Sequence, residues 1–222
     1  MTVHDAATAP DSSVALTFFN DAEARTVEAI SERIIPDGGD GAGATSAGVV
    51  YYIDRSVSGI SQNLQHVYRT GLRALERFCQ GEFSAPYVGL SAEQQDGVIR
   101  RFFGPEVVGA EETPQMYGDE EEERGERGDL DADLPILRRL FAVVREHAIE
   151  GFFCDPVYGG NRGAVGWQLV GFPGAYWGYT AEQMGPGFDG RTLPIATLSD
   201  LRRQLQEKSL PDNSTYYGNE EN

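Results

Sequence analysis

Four side chains that lie close together in the sequence are of types used in acid–base or nucleophilic chemistry. They are His147, Glu150, Cys154 and Asp155. A thiol beside an imidazole can act as a nucleophile and its base. In enzymes, however, such pairs are usually built from distant segments and need a third group that orients the base, and no such group is recognisable here. A stand-alone enzyme that uses Cys154 and His147 is therefore the weaker hypothesis.

Structural roles account for the same side chains more simply. His147 lies near the predicted end of a helix, where an imidazolium interacts favourably with the helix dipole. Asp155 precedes Pro156, which favours a turn in which the carboxylate accepts hydrogen bonds from backbone N–H groups. Cys154 is a buried thiol, the favoured interpretation, or a partner of Cys79, or a bridge to another chain, which would need an oxidising compartment. We expect no catalytic centre in this chain.

Sequence motifs for cofactors and metals are missing. The chain has no strand–GxGxxG–helix unit for a dinucleotide and no C-x-x-C-H sequence for a covalent haem. Its two cysteines cannot hold an ordinary iron–sulfur cluster, and their spacing fits no metal motif. The sequence therefore predicts neither a cofactor nor a metal in this chain.

The charge balance argues against several classes of partner. The formal net charge is −17 at pH 7, whereas nucleic acids and anionic membranes attract a positive face. No apolar run approaches the roughly 18 residues needed to span a bilayer. Residues 1–13 show neither the basic n-region nor the apolar h-region of an export signal. We expect a cytoplasmic protein; the alternative is a periplasmic one, exported with a partner or after loss of its own signal.

Hydrophobic periodicity predicts an all-α fold with no convincing strand. Asn20 or Thr17 is expected to cap the first helix, and Ser91-Ala-Glu-Gln94 is a capping box for the fourth. The predicted helices cover about 20–35, 49–57, 60–79, 91–103, 134–150 and 198–207. The chain thus reads as a small, irregular helical domain.

The helices group into one domain with additions. We expect a flexible tail over residues 1–15, a single helical domain over 16–208 and a C-terminal tail over 209–222. Residues 109–133 form an acidic insert, since nine acids face two arginines between 118 and 133 and such density disfavours compaction.

Residues 151–180, called the aromatic segment below, combine aromatic side chains with glycines and prolines, as no regular helix or strand does. A loop this long and this apolar is unfavourable unless something covers it. It either packs on its own domain or docks on another protein, because interface cores are enriched in Tyr, Trp, Phe and Arg. The side chains expected at such an interface are Phe152, Phe153, Cys154, Tyr158, Arg162, Trp167, Phe172, Tyr176 and Trp177.

The aromatic segment also carries a family resemblance. The sequence combines Cys, Asp-Pro, Gly-Gly-Asn and Gly-Trp in an order that resembles the signature of the gluconate 2-dehydrogenase subunit 3 family. The matching residues are 150–162, Gly166, Trp167 and 170–174, with 18–23, 27–30 and 33–37 nearer the start. The resemblance covers roughly residues 16–180.

This resemblance implies a non-catalytic small subunit of a heteromeric dehydrogenase. Its partner would be a large flavoprotein of the glucose-methanol-choline oxidoreductase type, which binds FAD and oxidises a sugar, a sugar acid or a glycoside, such as glucose, gluconate or a glucoside. The small subunit would dock on that flavoprotein, stabilise it and border its active site, and a cytochrome subunit joins some complexes of the family. The alternative role is that of an assembly or export chaperone, released once FAD is bound.

Overall fold

The computed structural model describes residues 15–39, 41–103 and 129–209. Within these ranges the chain forms seven α-helices and no strand, so the predicted all-α fold is confirmed. The helices are α1 (Asp21–Ile34), α2 (Val49–Ser58), α3 (Gln65–Phe83), α4 (Ala92–Phe102), α5 (Asp129–Phe153), α6 (Val165–Val170) and α7 (Leu198–Ser209). The predicted N-terminal tail up to residue 14, the C-terminal tail beyond 209 and the acidic insert up to 128 lie outside the described residues.

Local sequence signals set the starts of α1 and α4. Asn20 Oδ1 accepts from the Glu23 backbone N–H at 2.9 Å, and the Glu23 carboxylate accepts from the Asn20 N–H at 3.0 Å. Ser91 and Gln94 make the same reciprocal pair at the start of α4. Each pair satisfies N–H groups that have no partner within the helix. The two predicted caps, Asn20 and Ser91, are confirmed.

α5 is the central helix, and α1, α2, α3 and α4 all pack against it. Its buried apolar residues recur at helical spacing and form the middle of the core. Gly71 of α3 allows a close approach, since a Cβ there would lie 2.8 Å from the Leu140 Cβ. The two helices run antiparallel, because Tyr68 near the start of α3 contacts His147 near the end of α5. The buried apolar residues of α5 are Leu137, Leu140, Phe141, Val143, Val144, Ala148 and Phe152.

α5 differs from the prediction at both ends. It begins at Asp129, so residues 129–133 are helical although they were assigned to the acidic insert. Asp133 is held there by two hydrogen bonds of 2.7 Å from the Arg77 guanidinium of α3, a contact that the local charge pattern does not reveal. At the other end α5 continues to Phe153. A Cβ on Gly151 would lie 2.9 Å from the Tyr52 ring, so this glycine lets α2 pack against the last turn.

The aromatic segment is not one irregular loop. Its first three residues complete α5, α6 occupies Val165–Val170, and short 3-10 turns cover Pro156–Tyr158 and Arg162–Ala164. The expectation that residues 151–180 contain no regular helix is therefore wrong for these stretches. The short helix α6 ends at Gly171, whose φ of 72° is in the left-handed region that favours glycine.

Candidate functional site

The aromatic segment caps the end of α5 with side chains. The last carbonyls of a helix have no partner within the helix. Here Trp167 Nε1 donates to the Phe153 carbonyl at 2.8 Å, and Asn161 Nδ2 donates to the Cys154 carbonyl at 2.8 Å. Asn161 is fully buried, and its Oδ1 accepts from the Gly166 N–H at 2.8 Å. The residues that carry the family resemblance thus fix one another and the end of α5.

Two glycines allow the backbone to fold directly back on this helix end. A Cβ on Gly160 would lie 2.2 Å from the Gly151 carbonyl oxygen, and one on Gly166 would lie 2.1 Å from the Phe152 carbonyl oxygen. Both of these nearest atoms are backbone carbonyl oxygens, which cannot move away by changing a side-chain rotamer. Only glycine fits at these two positions.

Asp155 joins this cap to residues that follow much later in the chain. One carboxylate oxygen accepts from the Val157 N–H at 3.0 Å, and the other accepts from the N–H of Leu198, the first residue of α7, at 2.8 Å. The predicted role of Asp155 as an acceptor for backbone donors is confirmed. The bond to Leu198 has no counterpart in the local sequence pattern.

His147 belongs to the core. Its Nδ1 lies 2.8 Å from the Tyr68 hydroxyl oxygen, and the two rings stack with an interplanar angle of 12°. Burial lowers the pKa of His147, so the imidazole is neutral at pH 7. Because α5 continues to Phe153, His147 is not in its last turn. The predicted interaction of a charged His147 with the helix end is therefore wrong.

Cys154 is half-buried and does not form a nucleophile–base pair with His147. Its Sγ donates to the Gly151 carbonyl at 3.4 Å. Burial raises the pKa of the thiol to about 11, whereas a nucleophilic cysteine needs a lowered pKa. Cys79 is a buried, free thiol as predicted, so the two cysteines do not pair with each other. A partly buried thiol and a bridge to another chain remain the interpretations of Cys154.

A groove of about 760 Å³ lies between α2 and the end of α5. The Tyr52 hydroxyl donates to a Glu150 carboxylate oxygen at 2.9 Å and so ties the two helices together. The side chains that line the groove include Tyr52, Arg55, Ile60, Phe153, Cys154 and Tyr158. The groove thus brings part of the aromatic segment next to a helix that precedes it by roughly 100 residues.

The α2 side of this groove is not predicted from the sequence. Helical spacing predicts Ile60 at the start of the third helix, whereas α3 begins at Gln65 after a 3-10 turn. Ile60 is instead 92% exposed at the groove. An isoleucine directly after Gly59, at the end of a helix, was the one local signal of an apolar side chain that the domain does not cover.

The nine predicted interface side chains differ in accessibility. Phe152 and Trp167 are only 1% and 5% exposed, so they support the surface from below rather than form it. The exposed members are Phe153, Tyr158, Phe172 and Trp177, and the half-buried ones are Cys154, Arg162 and Tyr176. Their role at an interface stays a prediction.

Arg162 fixes the middle of the aromatic segment on the domain. Its backbone N–H donates to the Ala47 carbonyl at 2.9 Å, and its guanidinium carbon lies 4.0 Å from the centre of the Tyr51 ring. A cation over an aromatic face is favourable, and more so when it is partly desolvated. The exposed side chains on either side of Arg162 are therefore presented from a well-anchored backbone.

The exposed apolar side chains are concentrated in one part of the chain. Among the described residues, the large apolar side chains that are more than about a third exposed lie between Ile149 and Leu205, with Ile60 as the exception. Ile60 itself lines the groove beside Phe153. Exposed apolar side chains that share a groove, as Ile60, Phe153 and Tyr158 do, are typical of a surface that another protein covers.

The described part of the chain offers no group of three or more His, Cys, Asp and Glu side chains placed to hold a metal ion. None of its helices has the length and apolar character needed to cross a bilayer.

A protein-family model described as gluconate 2-dehydrogenase subunit 3 matches residues 21–174. The match runs from the start of α1 past the end of α6 and includes the cap on α5. No curated protein and no solved structure matches the chain.

Proposed function

The chain belongs to the gluconate 2-dehydrogenase subunit 3 family, and from this premise we propose that it is a non-catalytic small subunit that docks on and stabilises an FAD-binding dehydrogenase. The partner is a large flavoprotein of the glucose-methanol-choline oxidoreductase type that oxidises a sugar, a sugar acid or a glycoside. FAD and the substrate belong to that partner, and a cytochrome subunit is a further candidate member of the complex. We propose the cytoplasm as its site of action.

The observation that carries this proposal is the concentration of exposed apolar side chains around the groove and the aromatic segment. Phe153, Tyr158 and Phe172 are each at least 40% exposed, although aromatic side chains gain free energy when they are buried. Covering them with a partner would recover that free energy. Aromatic residues of this kind dominate the binding energy of many interfaces.

The backbone beneath these side chains favours docking as well. Asn161 and Trp167 fix the end of α5, and Gly160 packs directly on it. A surface that is ordered before binding loses less conformational entropy when the partner arrives. The residues of the family signature therefore have a common purpose, which is to hold an apolar docking surface in shape.

Substitution at the groove tests the proposal. The variants Phe153→Ala and Tyr158→Ala, each coexpressed with the large subunit, are expected to weaken the complex at least about tenfold, because each removes an exposed aromatic contact. The measurement is the dissociation constant of the complex, together with the amount of flavoprotein that copurifies with the tagged small subunit.

Phe83→Ala serves as the matched control. Phe83 is a half-buried phenylalanine at the end of α3, which lies beside the start of α5 and so away from Phe153. Native affinity in both groove variants would contradict the proposal. A mature, active flavoprotein that contains no copy of this chain would instead support the chaperone role.

A further inference from the structure

The lining of the groove holds one cation, Arg55, and two carboxylates, Glu150 and Asp155. Arg55 of α2 is exposed, and it makes no ion pair with the described residues. Its guanidinium lies against Gly159, where a Cβ would be 2.9 Å from Nη1. Glu150 accepts a hydrogen bond from the Tyr52 hydroxyl, and the two carboxylate oxygens of the buried Asp155 accept from the backbone N–H groups of Val157 and Leu198.

Apolar side chains surround Arg55, which has no ion pair among the described residues. Ile60, Phe153 and Tyr158 line the same groove and are all exposed. A partner that covers these apolar side chains also removes water from Arg55. A guanidinium that loses water without gaining an acceptor costs free energy, so a stable cover has to supply one.

Resting on the proposed function, we propose that the groove receives a segment of the large subunit that carries a carboxylate next to an apolar side chain. The carboxylate pairs with Arg55, and the apolar side chain lies against Ile60 and Phe153. Guanidinium and carboxylate match in a two-pronged hydrogen-bonded geometry, which fixes the register of the segment.

Charge complementarity favours an acidic segment over a basic one at this position. The net charge of −17 attracts basic surfaces to the molecule as a whole, and Arg55 is the cationic side chain of the groove lining. A basic segment would place its cation beside Arg55, whereas Glu150 already has a donor in Tyr52 and both oxygens of Asp155 already accept from backbone N–H groups. Like charges brought together in a desolvated interface are strongly unfavourable, so Arg55 also selects against basic segments.

Three variants of this chain, each in complex with the coexpressed large subunit, test the sign of the charge on the segment that occupies the groove. Arg55→Met removes the charge but keeps a long side chain, and it should raise the dissociation constant by about tenfold or more. Glu150→Gln removes one of the two carboxylates that line the groove, and it should leave the dissociation constant of the complex unchanged or lower it. Arg73→Met is the matched control, since Arg73 is an exposed arginine on α3 without an ion pair among the described residues.

Each other outcome overturns the proposal in a recognisable way. If Phe153→Ala weakens the complex and Arg55→Met does not, the docking function stands and the acidic occupant is wrong. Tighter binding of Arg55→Met together with weaker binding of Glu150→Gln would indicate a basic occupant. A dimer of the isolated chain that Arg55→Met dissociates, seen by light scattering, would assign the groove to a second copy. Native affinity in every groove variant would overturn the docking function itself.

Discussion

Glu28 is a buried acid whose charge state depends on the pH near neutrality. Burial and the neighbouring Glu32 carboxylate raise its pKa to about 7, against the opposing effect of Arg162. The position matters because Arg162 belongs to the aromatic segment, whereas Glu28 lies on α1. The protonation of one carboxyl group is therefore linked electrostatically to Arg162, which anchors the aromatic segment on the helical core.

The pH dependence of stability tests this assignment of Glu28. The folded chain binds the proton more tightly than the unfolded chain, in which the pKa is near 4.5. The stabilisation from this group is therefore complete below pH 4.5 and is lost as the pH rises towards 7. We expect the free energy of unfolding of the wild type, relative to Glu28→Gln, to fall between pH 5 and pH 8 in urea titrations.

The comparison between variants is needed because His147 acts in the opposite direction. Burial lowers its pKa, so His147 destabilises the fold as the pH falls below 6.5, the usual value for histidine. The same His147 contribution is present in the wild type and in Glu28→Gln and cancels in the difference. The raised pKa of Glu28 would be contradicted if the free energy of unfolding of the wild type, relative to Glu28→Gln, stayed constant or increased with rising pH.

At the scale of elements, α7 is attached to the domain through Asp155, a residue of the family signature. α7 follows the segment that the family model matches, and its first N–H donates to Asp155. The bridge between Gly174 and Ala196 is a second attachment, with the Ala175 N–H donating to the Ala196 carbonyl at 2.7 Å. The residues after the signature are thus held by a few polar contacts and lie outside the main core.

Loss of the Asp155 carboxylate should loosen α7 without unfolding the core. Asp155→Ala removes an acceptor at the helix start, a change worth about 1 kcal/mol. We expect limited proteolysis to cut between residues 175 and 209 several-fold faster than in the wild type. The control is Asp189→Ala, because among the described residues Asp189 accepts from Arg191 and Thr192, both within its own turn. Equal cleavage rates in Asp155→Ala and the wild type would show that other contacts hold α7.

The elements that sequence reasoning predicted well are those with local causes. The capping boxes at Asn20 and Ser91 need only residues three positions apart, and helical spacing is visible in any helix that buries one face. The ends of α5 have distant causes instead. Arg77 pairs with Asp133 and Tyr52 fills the space above Gly151, and neither contact can be read from the neighbouring residues.

The candidate site divides in the same way. The aromatic segment was recognisable from its composition, and the role of Asp155 from the following proline. The groove could not be predicted, because Ile60 and Arg55 line it only when α2 packs beside the end of α5. Phe152 and Trp167 illustrate the converse, since composition placed them at an interface although the domain buries them itself.

At the scale of the whole molecule, the core and the exposed apolar surface occupy different parts of the sequence. The main core cluster lies between Phe19 and Phe152, and the exposed apolar side chains, Ile60 apart, lie after residue 148 within the described residues. The α1–α5 bundle therefore supplies the stability. The residues from the end of α5 onward supply the surface that we assign to docking.

This division predicts that the chain folds without the residues after 175. A chain that ends at Ala175 keeps the complete main core and loses the contacts of Ala196 and Leu198 to the rest of the domain. We expect it to unfold cooperatively, with a melting temperature lower by roughly 5 °C, as the loss of a few hydrogen bonds implies. Thermal denaturation, monitored by circular dichroism, measures the melting temperature and the cooperativity of unfolding.

Tryptophan fluorescence distinguishes a native fold from a collapsed one in the same experiment. The chain has two tryptophans, and truncation leaves only Trp167, which is buried and donates to the Phe153 carbonyl. Its emission should match that of the full-length Trp177→Phe control, in which Trp167 is likewise the sole reporter. A red-shifted emission with a broad melting curve would mean that the cap on α5 needs the later residues. In that case the docking surface and the residues up to 209 would form a single cooperative unit, and the separation between core and surface would be wrong.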